Sequence, residues 1–383
     1  MGGRAGDVSG PPASPLRTMF QRNRIHSDPC DSTAVFQIRR MPVYKIAIAG
    51  ASTLLGRELK EALSDSPLAG ANFLLLDEEE AQGQLDQVGD EVTFVQRIEA
   101  DSFERVDFTF FVGPESLTRK YWREALRAGS TVLDLSGALD QETGVLVRAP
   151  WLGFESTTAD LFTPAVVPAH PAALALALVL ERVQLAAPVR FAAATVLEPA
   201  SAFGRAAMDE LHQQTVSLLS FQGLPRATYD AQAAYNLLTG LGEGATINIG
   251  AEEARIRRHY IALGDGRWPA LALQLIHAPV FHGHTFSIAI ELERPVEISA
   301  LEEALGGEHV DLVLEDTDSP SNLAATGQND VLVRLRPEKD GRNPNLASRV
   351  WLWAASDNLR LQAQNAVECA LDLRRLRPAG TVQ

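Results

Sequence analysis

Three histidines, His277, His282 and His284, fall within eight consecutive residues of this chain. Imidazole exchanges its proton near neutral pH, so such a cluster suits either acid–base chemistry or metal ligation. In one extended strand His282 and His284 would share a face and His277 would point to the other. No carboxylate lies in the same short stretch, whereas zinc asks for a convergent tetrahedral donor set. The reading is a positioned acid–base histidine, or the relic of one, and no metal site. The nearby Glu252-Glu253-Ala254-Arg255, taken alone, reads as a solvated helix face.

A second constellation is the turn Gly50-Ala51-Ser52-Thr53-Leu54-Leu55-Gly56, set between a β-rich run and a helical pattern. Glycines there let a nucleotide phosphate approach backbone N–H groups at a helix N-terminus. Thr53 stands where the full fingerprint has its middle glycine, so a plain tight βα turn remains the rival reading. Cofactor choice is read at the end of the following strand, where an acid can hydrogen-bond a ribose 2′-hydroxyl. Here the residues are Asp77-Glu78-Glu79-Glu80, and clustered carboxylates repel a 2′-phosphate. NAD is physically favoured over NADP, with a solvated acidic loop as the alternative.

The elements that must position these residues follow from periodicity. Strands are expected at 44–49, 72–76, 92–95, 107–112 and 131–135, with helices at 57–63 and 115–128 between them. Strands alternating with helices indicate a mostly parallel, doubly wound sheet. The pattern changes after Val167. An apolar helix at 172–183 is followed by longer alternating runs at 272–280 and 285–292, which suit an α+β domain with one sheet face to cover. A partner subunit is the natural cover, since an open apolar sheet face invites aggregation. Residues 315–327 read as a loop and 359–376 as a closing helix, and there is no internal repeat.

The expected organisation is therefore a dinucleotide-binding domain over 41–167, a substrate and dimerisation domain over 168–350, and a C-terminal helix over 351–377. Residues 1–40 are rich in Gly, Pro, Ser and Arg without apolar periodicity. They read as a disordered or misassigned N-terminal extension, with a basic targeting peptide as the rival because of Arg17, Arg22, Arg24, Arg39 and Arg40. The net charge of −15 argues against nucleic acid and anionic lipid as partners. The apolar run 172–180 is far short of the ~20 residues a membrane helix requires. Two cysteines, Cys30 and Cys369, make a disulfide framework improbable and a reducing, cytoplasmic setting the best fit.

Taken together, these segments resemble the aspartate-semialdehyde dehydrogenase family, and within it the cysteine-less Usg-type paralogues. The resemblance runs from about Val43 to Leu376 and rests on ordered segments. They are the 50–56 turn; Ser201-Ala202-Phe203-Gly204-Arg205 through Leu211; Ala233-Ala234-Tyr235-Asn236-Leu237-Leu238; Pro279 with Gly283-His284; and Ser356-Asp357-Asn358-Leu359-Arg360 with Asn365-Ala366-Val367. It implies an N-terminal Rossmann-like NADP-binding domain, a C-terminal α+β domain that makes a homodimer, and a last helix packing back on the first domain. It also implies cofactor contacts at Gly50, Ser52, Thr53, Leu54, Leu55, Gly56, Asp77, Gly113, Ser201, Gly204 and Asn358.

Carried over residue by residue, the resemblance puts the family's catalytic base at His284 and its substrate-carboxylate arginine at His277. The family's glutamate and lysine near the substrate fall on Glu252 and Arg255, and its phosphate-binding arginine on Asp140, where a carboxylate would repel phosphate. The nucleophilic cysteine falls in Val167-Pro168-Ala169-His170-Pro171, at or near His170. Phosphorylating dehydrogenation needs a thiolate that forms and then releases a thioester. Cys369, in the closing helix, reads as a buried small apolar residue. Three readings follow: a dimeric homologue that keeps the fold and nucleotide site without that reaction; an active NAD(P)H-dependent aldehyde oxidoreductase using His284; and a non-enzymatic partner-binding protein.

Overall fold

The β-rich run and the glycine turn take the form of strand β1 (Lys45–Ala49) and helix α1 (Leu54–Ser64) in a computed structural model. It describes residues 43–78, 85–89, 91–153, 159–160, 162–339 and 343–376. The N-terminal extension, and Glu79 and Glu80 of the acidic run, lie outside the described residues. Next come β2 (Asn72–Asp77), β3 (Leu85–Val88), β4 (Glu91–Phe94), β5 (Gln96–Arg97), β6 (Phe108–Phe111), α2 (Glu115–Arg127), β7 (Thr131–Asp134), β8 (Leu146–Arg148) and β9 (Val166–Pro168).

Seven of these strands form one sheet in the order β5-β2-β1-β6-β7-β9-β8, with every pairing parallel. Alternate residues of β1 feed two separate cores, Ile46 and Ile48 toward α1 and Ala47 and Ala49 toward α2. This is the doubly wound, Rossmann-like layer. The expected strand at 92–95 is a correction: β4 pairs antiparallel with β3 in a separate two-stranded hairpin and takes no place in the parallel sheet. Gly89 supplies the reason, because its φ of +58° turns the chain back after only four residues of β3.

The second lobe begins with α3 (Pro171–Ala186), followed by β10 (Val189–Glu198), α4 (Arg205–Leu219), α5 (Ile249–Gly264), β11 (Leu271–His277) and β12 (His284–Glu297). Then come α6 (Ile298–Leu305), β13 (Val310–Leu312), α7 (Asn322–Ala325), β14 (Val331–Lys339), β15 (Leu346–Ser356) and α8 (Asn358–Leu373). The loop expected at 315–327 carries the short helix α7, because Ser321 Oγ accepts the Ala324 N–H (3.1 Å). A mixed sheet runs β11-β10-β12-β15-β14-β13. From Pro171 to Leu180 α3 is apolar on all sides and accordingly buried, its four leucines from Leu174 to Leu180 filling the space under the sheet. Each such leucine contributes about 1.5–3 kcal/mol.

The opposite sheet face carries the exposed side chains Phe191, Trp351 and Trp353. The last helix starts at Asn358, so the helix expected over 351–377 is corrected at 351–356, which pair within β15, and α8 returns to the first lobe. Ala363, Ala366, Val367 and Ala370 of α8 share a core with Leu59 of α1. Arg360 Nη1 meets Glu58 Oε1 at 3.1 Å and Arg148 Nη2 meets Asp372 Oδ2 at 3.0 Å, pinning the helix at both ends.

Candidate functional site

At the head of α3, Pro171 occupies the first helical position and His170 caps the turn before it, its Nδ1 accepting the Ala172 N–H (3.1 Å). That bond leaves the proton on Nε2, which points at Glu252 Oε1 from 2.8 Å. The backbone N–H of His170 donates in turn to His259 Nδ1 (2.9 Å), so His259 also carries its proton on Nε2, 3.0 Å from Asp140 Oδ2. His170 is thus engaged at both ring nitrogens, whereas His259 Nε2 faces the Asp140 carboxylate by charge and is outside hydrogen-bond geometry. Glu252, Arg255 and His259 recur at the three- and four-residue steps that put side chains on one face of α5.

Arg255 joins the acids. Its Nε donates to Asp140 Oδ2 (3.0 Å) and its Nη1 to Glu252 Oε1 (3.5 Å). Burial works against charge on both carboxyls, but Arg255 and the histidines prevail. Asp140 and Glu252 are held below the usual carboxylate range. Burial likewise opposes the Arg255 cation, and the acids around it raise its pKa still further. Burial lowers His259, and it raises Asp134, whose Oδ1 accepts the Ser136 N–H and whose Oδ2 accepts the Leu139 N–H.

A second polar row crosses one end of the mixed sheet. His277 pairs with Glu198 in register, Leu197 pairs with Thr285 and so brings Glu198 beside His284, and His284 pairs with Ser356. His284 Nε2 donates to Glu198 Oε2 (2.9 Å), and both side chains are 0% exposed. His284 Nδ1, Glu198 Oε1, Ser356 Oγ and both ring nitrogens of His277 are buried with no hydrogen-bond partner among the described residues. His277 stacks on Tyr229 at 4.8 Å, and burial pushes its pKa down to about 4 against the opposing pull of Glu198.

The expectation that His277 and His284 face opposite ways is corrected here. They lie on different strands, joined by a turn in which Gly283 has φ +83°, and both point into the core. His170 and His284 approach to 6.0 Å between ring centroids, which joins the two polar groups. Glu198 and His259 are site residues that the sequence reading missed. Each had a signal: Glu198 sits in phase with the buried Ala192, Ala194 and Val196 of β10, and His259 follows Glu252 by two helical turns. Asp140, expected to repel anions, instead neutralises Arg255.

At the glycine turn a Cβ on Gly50 would sit 2.4 Å from Gly113 N, so the two backbones meet only because Gly50 lacks a side chain. Thr53 folds back to cap α1, accepting the Gly56 N–H (2.9 Å) and donating to Gly50 O (2.8 Å). Asp77 Oδ2 accepts the Ser52 N–H (2.9 Å), and Ser52 Oγ is buried without a described partner. The turn's own bonds use the N–H groups of Ser52, Thr53 and Gly56 and do not engage those of Leu54 and Leu55, the first of α1. Ser201 Oγ and the Gly283 N–H both donate to Asn358 Oδ1 (3.1 Å each), while Gly204 turns into α4 with φ +85°.

Comparison with known proteins agrees with this two-part build. The profile described as "Semialdehyde dehydrogenase, NAD binding domain" matches residues 45–175, and "Semialdehyde dehydrogenase, dimerisation domain" matches 182–361. The chain belongs to the semialdehyde dehydrogenase family. Among its relatives, a USG-1 protein homolog of Azotobacter vinelandii is 31% identical over 86% of this chain and 97% of its own. An aspartate-semialdehyde dehydrogenase of Rickettsia bellii is 25% identical over 86% and 97%. The solved structure of a probable aspartate-semialdehyde dehydrogenase from Pseudomonas aeruginosa superposes with TM-score 0.76 at 27% identity, covering 87% of this chain and 99% of that one.

Within this family the chain therefore has Usg-type homologues beside aspartate-semialdehyde dehydrogenases. Its N-terminal lobe is an NAD(P)-binding domain and its C-terminal lobe a dimerisation domain. Among the described residues no helix is long and apolar enough to cross a membrane, and no cluster of three or more His, Cys, Asp or Glu could hold a metal ion. Cys369 is buried in α8 with Sγ 3.8 Å from Arg148 O, and burial pushes its thiol well above the usual range.

Proposed function

We propose that this protein is a homodimeric, nucleotide-binding member of the semialdehyde dehydrogenase family that does not carry out phosphorylating dehydrogenation. The observation that carries the reading is His170. It stands at the head of α3, where the family resemblance puts the nucleophilic cysteine, with one ring nitrogen accepting from Ala172 and the other on Glu252. An imidazole so engaged has no lone pair for an aldehyde carbon, and the reaction needs a thiolate that can leave again to phosphate. The family's role in aspartate-derived amino acid biosynthesis would then be one the ancestor performed.

The surroundings agree. Arg255 is already neutralised by Asp140 and Glu252, and neutral His277 offers no charge to a substrate carboxylate. Gly50, Gly113 and the first turn of α1 suit a dinucleotide phosphate, with Asp77 favouring NAD. When bound, that cofactor would supply or accept a hydride. The exposed Phe191, Trp351 and Trp353 lie on the dimerisation domain and would be covered by a second copy. The test pairs two assays. NADH titration should change the fluorescence of protein or cofactor, and aspartate semialdehyde with phosphate and NADP should give no turnover. Turnover at a rate typical of a cysteine enzyme would refute the reading.

The Glu198–His284 pair favours a second reading, an aldehyde reductase. Glu198 fixes the His284 ring, and Nδ1 is the nitrogen free to exchange a proton with a carbonyl oxygen. A survey of aldehydes with NADH as the hydride donor separates the two, because only the reductase consumes NADH.

A further inference from the structure

We propose that Arg255, Arg258 and His259 form a small oxyanion pocket that the chain fills with its own Asp140. Three basic side chains of α5 converge on this one carboxylate, and of them Arg255 Nε makes the hydrogen bond. Oδ2 lies 3.0 Å from Arg255 Nε, 3.0 Å from His259 Nε2 and 3.8 Å from Arg258 Nη2. Asp140 arrives from the other lobe, on the loop after β7, and its side chain is 4% exposed. Gly137 forms the floor. Its φ is +85°, and a Cβ there would sit 2.5 Å from the Arg255 guanidinium carbon, so no other residue leaves room for this arginine.

The tether makes Asp140 an imperfect ligand. Its Oδ1 and Arg255 Nη2 are both buried and both lack a partner, so only one of the two parallel bonds that a guanidinium fork offers is made. An untethered carboxylate or phosphate could take Nε and Nη2 together. The other acids that act on Arg255 are Glu252, 3.5 Å from Nη1, and Asp134, which adds to the negative field around the guanidinium. Their charge opposes a second anion, so a single small one such as formate or phosphate is the fitting probe. In the native chain the pocket is closed to solution anions, and this holds whatever reaction the protein performs.

The test is thermal denaturation of the full chain with increasing sodium formate or inorganic phosphate, against sodium chloride at equal ionic strength. Asp140→Ala is expected to show a saturable rise in Tm of about 2–4 °C, with none in the wild type and none in Asp140→Ala/Arg255→Met. If Asp140→Ala does not fold without added anion, recovery by formate or phosphate supports the pocket. If neither anion recovers it, the same titration on the smaller, polar Asp140→Ser decides. A saturable wild-type response, or variants that respond to formate and phosphate no more than to chloride, overturns the proposal.

Discussion

His170 Nε2 lies 2.8 Å from Glu252 Oε1, and this contact ties the head of α3 to the inner face of α5. Glu252 is shared with Arg255, so the cap of one helix is continuous with the ion pairs that join the two lobes. His170→Ala removes both the cap, worth about 1 kcal/mol, and a partner of a mostly buried carboxylate. The expected loss is about 2–3 kcal/mol, read as a lower denaturant midpoint with an unchanged slope. His170→Cys restores a sulfur at the same place and is expected to give no turnover with aspartate semialdehyde, phosphate and NADP, since Asp140 still occupies Arg255. Turnover in that variant would show that the remaining cleft is competent.

His284 needs gentler treatment. With His284 and Glu198 both fully buried, His284→Ala leaves a carboxyl group in the core without its partner, at a cost of about 3–5 kcal/mol. His284→Asn keeps a donor near Glu198 and is expected to fold. If the protein reduces aldehydes, His284→Asn lowers kcat/KM by about 10²–10⁴. Unchanged NADH consumption by a folded His284→Asn protein removes His284 from the chemistry.

Much of this architecture could be read from residue order. The run 44–49, Gly50 and the helical spacing after it announced β1 and α1, and Ala172 to Leu180 announced a helix with no exposed side. The expected strand at 92–95 lies outside the parallel sheet, and β3 beside it carries no signal in the sequence reading, because alternation over four residues carries no information about which strand lies alongside. The cleft was only half legible for a related reason. His284, Glu252 and Arg255 stand in readable motifs, but Asp140, Glu198 and His259 acquire meaning only when distant segments meet. A carboxylate assessed alone at position 140 repels phosphate; beside Arg255 it is a counter-ion.

Acid should expose His277. Its imidazole ionises near pH 4 in the fold, because burial against Tyr229 disfavours the cation more than Glu198 favours it. In the unfolded chain it ionises near its ordinary value of about 6.5. Between those values the unfolded chain binds a proton that the folded one does not. This contribution is therefore complete above about pH 6.5 and is lost as the pH falls toward 4, amounting to about 3 kcal/mol. Stability measured by urea from pH 4 to 7 should rise less steeply in His277→Phe than in the wild type. Parallel profiles would mean that the ring is reached by water or a proton acceptor.

Asp140 and Glu252 act at lower pH and through the opposite charge. Both carboxyls ionise more readily in the fold than in the unfolded chain, so their contribution is present above about pH 4.5 and lost as acid protonates them. Arg255→Met removes the cation and leaves two acids facing one another in the junction, at a cost of about 3–5 kcal/mol at neutral pH. Part of that cost should disappear near pH 4, where protonation relieves the acids. A wild-type and variant difference that stays constant with pH would show that Arg255 matters by packing alone.

The glycine turn makes the most direct claim on function. Gly50→Ala would drive a Cβ to 2.4 Å from the Gly113 backbone at a φ of +94°, so loss of nucleotide binding in that variant reports damage to the fold. Asp77 is the better probe. Its Oδ2 holds the Ser52 N–H, its Oδ1 accepts the Glu78 N–H, and in the nucleotide site proposed above its charge would meet a 2′-phosphate. The wild type is expected to bind NADH more tightly than NADPH in fluorescence titration. Asp77→Asn keeps an acceptor for Ser52 while removing the charge, so it should narrow that preference by improving NADPH and leaving NADH nearly unchanged. Tighter binding of NADPH by the wild type would mean that a cation from elsewhere in the chain meets the 2′-phosphate and that Asp77 serves the turn alone.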